Sequence, residues 1–209
     1  TTVLSAVETI GRIPDAYFQA VGSGTGAIAA WENAQRLAYD GRFGENKMRV
    51  YVAQNEPFTL LYDSWKAGAR SLVELSAEEG RRQAEIIQAK VLSNRKPPYG
   101  LAGGLFDTLK NSNGDMFLAD NSDIAFWKMQ YQKLEGYELL PAACVAVAAL
   151  AQAVDNGTVK RSEYIMLNCT GGGETAAKAD GFVFKSADIV LSPELPAEDI
   201  IEKVNQLFA

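Results

Sequence analysis

The stretch Tyr17–Trp31, "YFQAVGSGTGAIAAW", places Gly22-Ser23-Gly24-Thr25-Gly26 between two apolar segments. "AYFQAV" (Ala16 to Val21) reads as a buried strand. From about Gly26 to Tyr39 the apolar residues Ile28, Trp31, Ala34 and Leu37 fall on one helix face. A plain turn needs fewer glycines. Alternating glycines at a strand end let successive N–H groups converge on an anion, and the following helix adds its positive end. Ser23 and Thr25 add hydroxyl donors, so a phosphate can be held without lysine or arginine. The competing reading is a tight strand-to-helix turn packed on the sheet.

Working outward, "GRFGEN" is a turn and "MRVYVA" (Met48 to Ala53) a second strand, with Pro57 suited to the first turn of the next helix. Strand, helix, strand, helix is the pattern of a parallel sheet with right-handed crossovers. Before the loop, "TTVLSAVETIG" spaces Val3, Leu4, Val7 and Ile10 on one helix face and stops at Gly11. A chain opening inside a helix reads as part of something longer. Downstream, Ala77 to Lys90 predicts an amphipathic helix, and the Pro-Pro of "SNRKPPYG" interrupts regular structure. "GDMFLADNSD" predicts a short strand running into a helix cap, with that helix ending at Gly136. "YELLP" predicts a strand, and "AACVAVAALAQAV" a buried helix ended by Gly157. "YIMLNCTGGGE" is a strand with a second glycine loop, and the tail "LPAEDIIEKVNQLF" an amphipathic helix with Pro196 near its start. The fold class is α/β, an open, mostly parallel sheet with flanking helices.

The chain's 209 residues can bury a sizeable core. A net charge of −6 argues against a nucleic-acid surface. The absence of histidine excludes Ser-His-Asp and Cys-His pairs and the usual His-containing zinc sites. No metal site is expected. The longest apolar run, Leu139 to Ala153, is too short to span a bilayer. Cys144 and Cys169 read as reduced thiols packed in a cytoplasmic protein. Trp31, Trp65 and Trp127 read as core residues.

In the second loop Thr170 is the functional candidate: a hydroxyl at a strand end, backed by three glycines, can bond a ring nitrogen. Capping of the following segment competes evenly on chemistry alone. In the first, Gly22, Gly24 and Ala27 also satisfy the dinucleotide pattern G-x-G-x-x-G/A. Gln54, Asn55 and Glu56 are a poor match for the acidic ribose partner of that pattern. A dinucleotide-binding oxidoreductase domain and a non-catalytic phosphate-binding module stand as alternatives.

"VGSGTGAIAAW" resembles the cofactor-phosphate loop of fold-type II pyridoxal-phosphate enzymes, the threonine synthase and tryptophan synthase β class. "LEGYELLPAACVAVAAL" and "MLNCTGGGE" resemble further threonine synthase segments. "DAYFQAVGSGTGAIAAWENA", "DGRFGENKMRVYVAQNEPF", "LSNRKPPYGLAGGLFD" and "LNCTGGG" are together most similar to the archaeal cysteate synthase family. The resemblance covers about Thr1 to Gly173. It implies pyridoxal 5'-phosphate as cofactor, with Gly22, Ser23, Gly24, Thr25 and Gly26 cradling its phosphate and Thr170 meeting its pyridine nitrogen. It implies conversion of O-phospho-L-serine and sulfite to L-cysteate and phosphate, in coenzyme M biosynthesis. A threonine synthase acting on O-phosphohomoserine is the near alternative.

None of the chain's lysines, Lys185 included, lies in a recognisable Schiff-base site of that family. Residues 1–209 are therefore expected to be the C-terminal cofactor-binding portion of a synthase. Its partner would be the upstream, lysine-bearing portion of the same enzyme. Alone, the chain is expected to have no synthase activity and no catalytic residue of its own. A homo-oligomer is expected, with neither nucleic acid nor membrane as partner. Arg95, beside Lys96 in the proline-stiffened "SNRKPPYG", is the candidate contact for the anionic substrates.

Overall fold

The computed structural model describes residues 2–183, 187–192 and 194–208. They divide into two units, Thr1–Gly173 and Glu174–Ala209. The first carries the sheet. It opens with α1 (Thr2–Ile10), whose Val3 and Val7 are buried, and Gly11 closes it with φ 73° and a bond from its N–H to Val7 O. Then come β1 (Ala16–Ala20), α2 (Thr25–Asp40), β2 (Arg49–Asn55), α3 (Leu60–Lys66), α4 (Ala77–Ile86), a 3-10 turn at Lys90–Leu92, α5 (Leu105–Ser112) and β3 (Asp115–Ala119). After these follow α6 (Asn121–Glu135), α7 (Pro141–Asp155) and β4 (Ile165–Leu167). The second unit holds α8 (Glu174–Ala179) and α9 (Ala197–Gln206), with Pro196 at the N-cap of α9.

The strands pair in the order β3-β2-β1-β4, and all three pairings are parallel. The chain steps outward from β1 through β2 to β3, then crosses back to lay β4 on the other side of β1. The order reverses at β1, and open α/β sheets bind ligands outside the carboxyl strand ends at such a point.

Helices cover both faces, which explains the nearly continuous apolar runs in the strands. Ala16, Phe18, Ala20, Tyr51 and Ala53 face one way, into a core with Ala143, Ala146 and Ala149 of α7. The many alanines of α7 let that helix approach the sheet closely. Tyr17, Val21, Val50 and Val52 face the other way, against Ala27, Ala30, Trp31 and Ala34 of α2 and Leu105 and Leu109 of α5. The capping signal after β3 is realised in full: the Asp120 carboxylate accepts from the Asp123 amide, and Asp123 reciprocates.

Three local expectations are corrected. The helix beginning at Ala77 stops at Ile86, because Asn121 Nδ2 donates to Ile86 O at 2.9 Å and Asn121 Oδ1 accepts from Gln88 N at 3.0 Å. Those bonds replace further helical ones. Pro57 precedes α3 in a turn; the Gln54 side chain accepts from Leu61 N and Tyr62 N, both at 2.9 Å, and so sets where that helix begins. "YELLP" forms only a single antiparallel bridge, Leu139 with Gly172, since Leu140 is already the N-cap of α7. Among the described residues no helix is long and apolar enough to cross a membrane.

Candidate functional site

The first glycine loop leaves the carboxyl end of β1 and enters α2. Gly24 is the N-cap, at φ 79°, and brings no side chain to the first turn, where Ser23 Oγ accepts from Thr25 N at 3.3 Å. Ser23 Oγ and Thr25 Oγ1 share a hydrogen bond of 2.9 Å. Three close approaches define the loop. A Cβ on Gly22 would stand 2.9 Å from Val91 O, one on Gly24 would stand 2.8 Å from Leu105 Cδ2, and one on Gly26 would stand 2.6 Å from Gln19 Nε2. The loop is therefore shaped by absent side chains. An open helix N-terminus with two hydroxyls beside it is an anion-binding arrangement.

The second loop leaves β4, which lies directly beside β1: Leu167 is in register with Phe18, and Asn168 N donates to Phe18 O at 2.9 Å. Leu140 N donates to Gly171 O at 3.0 Å and Gly173 N to Glu138 O at 2.9 Å, pinning the loop against the start of α7. A Cβ on Gly172 would stand 2.3 Å from Glu138 O. Thr170 is exposed and borders a cavity of about 420 Å³, whose other walls include Gln88, Val91, Leu140 and Pro141.

Residues 88–92 form the wall common to both loops. The Val91 carbonyl crowds Gly22, while Gln88 and Val91 line the cavity that Thr170 borders. Two asparagines, whose part in this wall the sequence reading missed, hold it in place. Asn55, fully buried at the end of β2, accepts from Ala89 N at 3.0 Å and donates to Ala119 O at 3.0 Å. It also reaches Asn121 Oδ1 at 3.3 Å, and Asn121 holds Ile86 and Gln88 as described above. The available signal was a polar residue ending an apolar strand at its carboxyl end. Lys90 also borders the cavity, but its ammonium donates to Ala84 O and Glu85 O at the end of α4.

Arg95 is exposed, and its aliphatic stem lies over Gly80 of α4. Cys144 is buried in α7, and burial pushes its thiol up to about 11. Cys169, expected to be packed, is exposed instead; its Sγ lies 3.8 Å from Tyr131 Oη beside Thr170. Desolvation raises its thiol as well, so it carries no activated thiolate. Trp31 is buried, and Trp65 donates from Nε1 to Asp115 at 2.6 Å. Lys185 lies outside the described residues. Among the described residues, no group of three or more acidic, cysteine or histidine side chains is placed to hold a metal ion.

Comparison with solved structures gives the same architecture. The threonine deaminase of T.th. superposes with a TM-score of 0.54 at 16% identity, covering 82% of this chain and 54% of the other. Serine racemase from Dictyostelium discoideum gives 0.58 at 16% identity, over 81% and 47%. Among curated proteins, the cysteate synthase of Methanocella paludicola is 45% identical over 97% of this chain and 48% of its own length. That of Methanosarcina barkeri is 40% identical over 96% and 49%. The chain spans about half the length of the curated relatives it matches. The family model described as pyridoxal-phosphate dependent enzyme matches residues 1–171, which takes in both glycine loops; the chain belongs to that family, whose cofactor is pyridoxal 5'-phosphate.

Proposed function

We propose that this chain is the cofactor-binding portion of a cysteate synthase, which replaces the phosphate of O-phospho-L-serine with sulfite to give L-cysteate and inorganic phosphate. The observation that carries the reading is the common wall. One short segment, residues 88–92, crowds Gly22 of the first loop and lines the cavity bordered by Thr170 of the second. A flat ligand with a phosphoryl group at one edge and a ring nitrogen at the other suits such a pair of loops.

On this reading the amides of Gly22 through Gly26, with the Ser23 and Thr25 hydroxyls, bind the cofactor phosphate. The glycines let the loop pack against Val91, Leu105 and Gln19, and the positive end of α2 favours the phosphate's charge. The Thr170 hydroxyl donates to the pyridine nitrogen, keeping it neutral where a carboxylate would favour the protonated form. Val91, Leu140 and Pro141 would supply the apolar lining beside the ring. When bound, pyridoxal 5'-phosphate supplies the electron sink for elimination and re-addition at the substrate β-carbon. Arg95, exposed beside Gly80 of α4, is assigned to the anionic substrate. The lysine that carries the cofactor is assigned to the part of the relatives' length that this chain does not span.

The test is turnover by the intact protein with pyridoxal 5'-phosphate. Phosphate and L-cysteate should form from O-phospho-L-serine and sulfite, and no phosphate should be released from O-phosphohomoserine. The converse pattern would make it a threonine synthase. Failure of the apoprotein to bind the cofactor would remove the reading altogether.

A further inference from the structure

Behind the two loops, a chain of polar side chains crosses from β4 to β1. Asn168 Nδ2 donates to Tyr17 Oη at 2.8 Å, and Tyr17 Oη donates to Gln19 Oε1 at 2.7 Å. The Gln19 amide in turn lies against Gly26, where even a methyl group would displace it. One end of this relay sits just before Thr170. The other touches the last glycine of the first loop. It joins the two halves of the candidate site through side chains, in addition to the backbone pairing of β1 with β4.

Tyr17 is only 1% exposed, within the core between the sheet and α2. A phenylalanine there would fill the same space, and burying the hydroxyl is costly unless its bonds are made. Burial raises the Tyr17 hydroxyl to about 12, against the opposing effect of the Asn168 bond, so it remains a proton donor across the neutral range. Linked bonds of this kind hold geometry more tightly than apolar packing does.

We propose that Tyr17 and Asn168 are positioning residues that fix the separation between the Gly22–Gly26 amides and the Thr170 hydroxyl, and thereby select a ligand that bridges the two loops over a lone phosphate. This rests on the function proposed above. A one-ended anion needs the first loop alone and is indifferent to the relay. A phosphorylated pyridine must reach both loops at once.

The experiment uses the apo form of the intact protein and two probes. Pyridoxine 5'-phosphate lacks the aldehyde, so it reports non-covalent binding at both ends; inorganic phosphate reports the first loop alone. Tyr17→Phe and Asn168→Leu should each weaken pyridoxine 5'-phosphate about tenfold, the worth of one good hydrogen bond. Phosphate affinity should stay within about twofold, since its own hydrogen bonds are intact. The double variant should be no weaker than either single one, because both cut one relay. A parallel fall for both probes would reduce the relay to a purely structural role and overturn the proposal, as would unchanged binding of pyridoxine 5'-phosphate. Two independent variants guard against the misfolding of one. Should the unaltered protein bind pyridoxine 5'-phosphate no better than phosphate, the proposed function itself fails, and that result is separable from the others.

Discussion

At Gly24 two constraints act on one α-carbon: a left-handed φ of 79° and a Leu105 methyl 2.8 Å from where a Cβ would lie. Gly41, at the other end of the same helix, has φ 80° but open space around it. The pair separates conformational cost from steric cost. Gly41→Ala should cost about 1 kcal/mol from backbone strain alone. Gly24→Ala should cost about 2–4 kcal/mol, since overpacking against Leu105 is added to that strain. It should also weaken phosphate binding, whereas Gly41→Ala should not. Denaturant titrations and phosphate titration of both variants check this, and equal losses would sink the steric argument. Glycines of this kind were legible in the sequence because their pattern follows from backbone geometry. The exposure of Cys169 was not, because it depends on how the second loop meets α6 through Tyr131, a contact between distant residues.

At the scale of elements, the wall of the site is set by side chains reaching across the fold. Replacing Asn55 by alanine leaves Ala89 N without its acceptor and Asn121 without one of its partners. The expected loss is about 1–3 kcal/mol, the cost of a buried donor left unpaired. Hydrogen exchange should quicken at Ala89 while the amides of β1 keep their protection. Asn121→Ala should act on the same segment, and the double variant should cost less than the sum of the two. Full additivity would mean that the asparagines do not act as one clamp. The same bonds explain why α4 ends early: helical periodicity through Ala77 to Lys90 is local information, while Asn55 and Asn121 are far away in sequence. By contrast, β1, β2 and α7 were readable because burial on both faces leaves long apolar runs. The cap at Asp120 was readable because both of its partners are local. The helix α5 escaped notice in a glycine-rich stretch, and its packing on Gly24 and the sheet supplies what its short sequence pattern lacks.

Across the whole molecule, strand and helix alternation made the α/β class legible, but the order β3-β2-β1-β4 depends on which strand edges meet. The same two-sided burial has a consequence for pH. With no histidine in the chain, the usual side-chain titration near neutrality is missing. On the alkaline side buried groups hold their protons: burial raises Cys144 from 9.0 to about 11, Tyr17 and Tyr99 from 10.0 to about 12, and Tyr51 in the same direction. Each releases its proton earlier in the unfolded chain than in the folded one. Their contribution to stability is therefore complete below about pH 9 and is lost as pH rises toward the folded values. A net charge of −6 acts in the same direction, since every further ionisation adds repulsion. The denaturation midpoint should be nearly level through the neutral range and fall steadily above about pH 9. Cys144→Ala should lower the midpoint at every pH, through the cavity it leaves, yet flatten the early part of the alkaline decline. Thiol labelling should modify the exposed Cys169 before Cys144, which should react only when the fold opens. A midpoint that stayed level to about pH 11, or an alkaline slope untouched by Cys144→Ala, would show that the buried protons do not control the fold's tolerance of base.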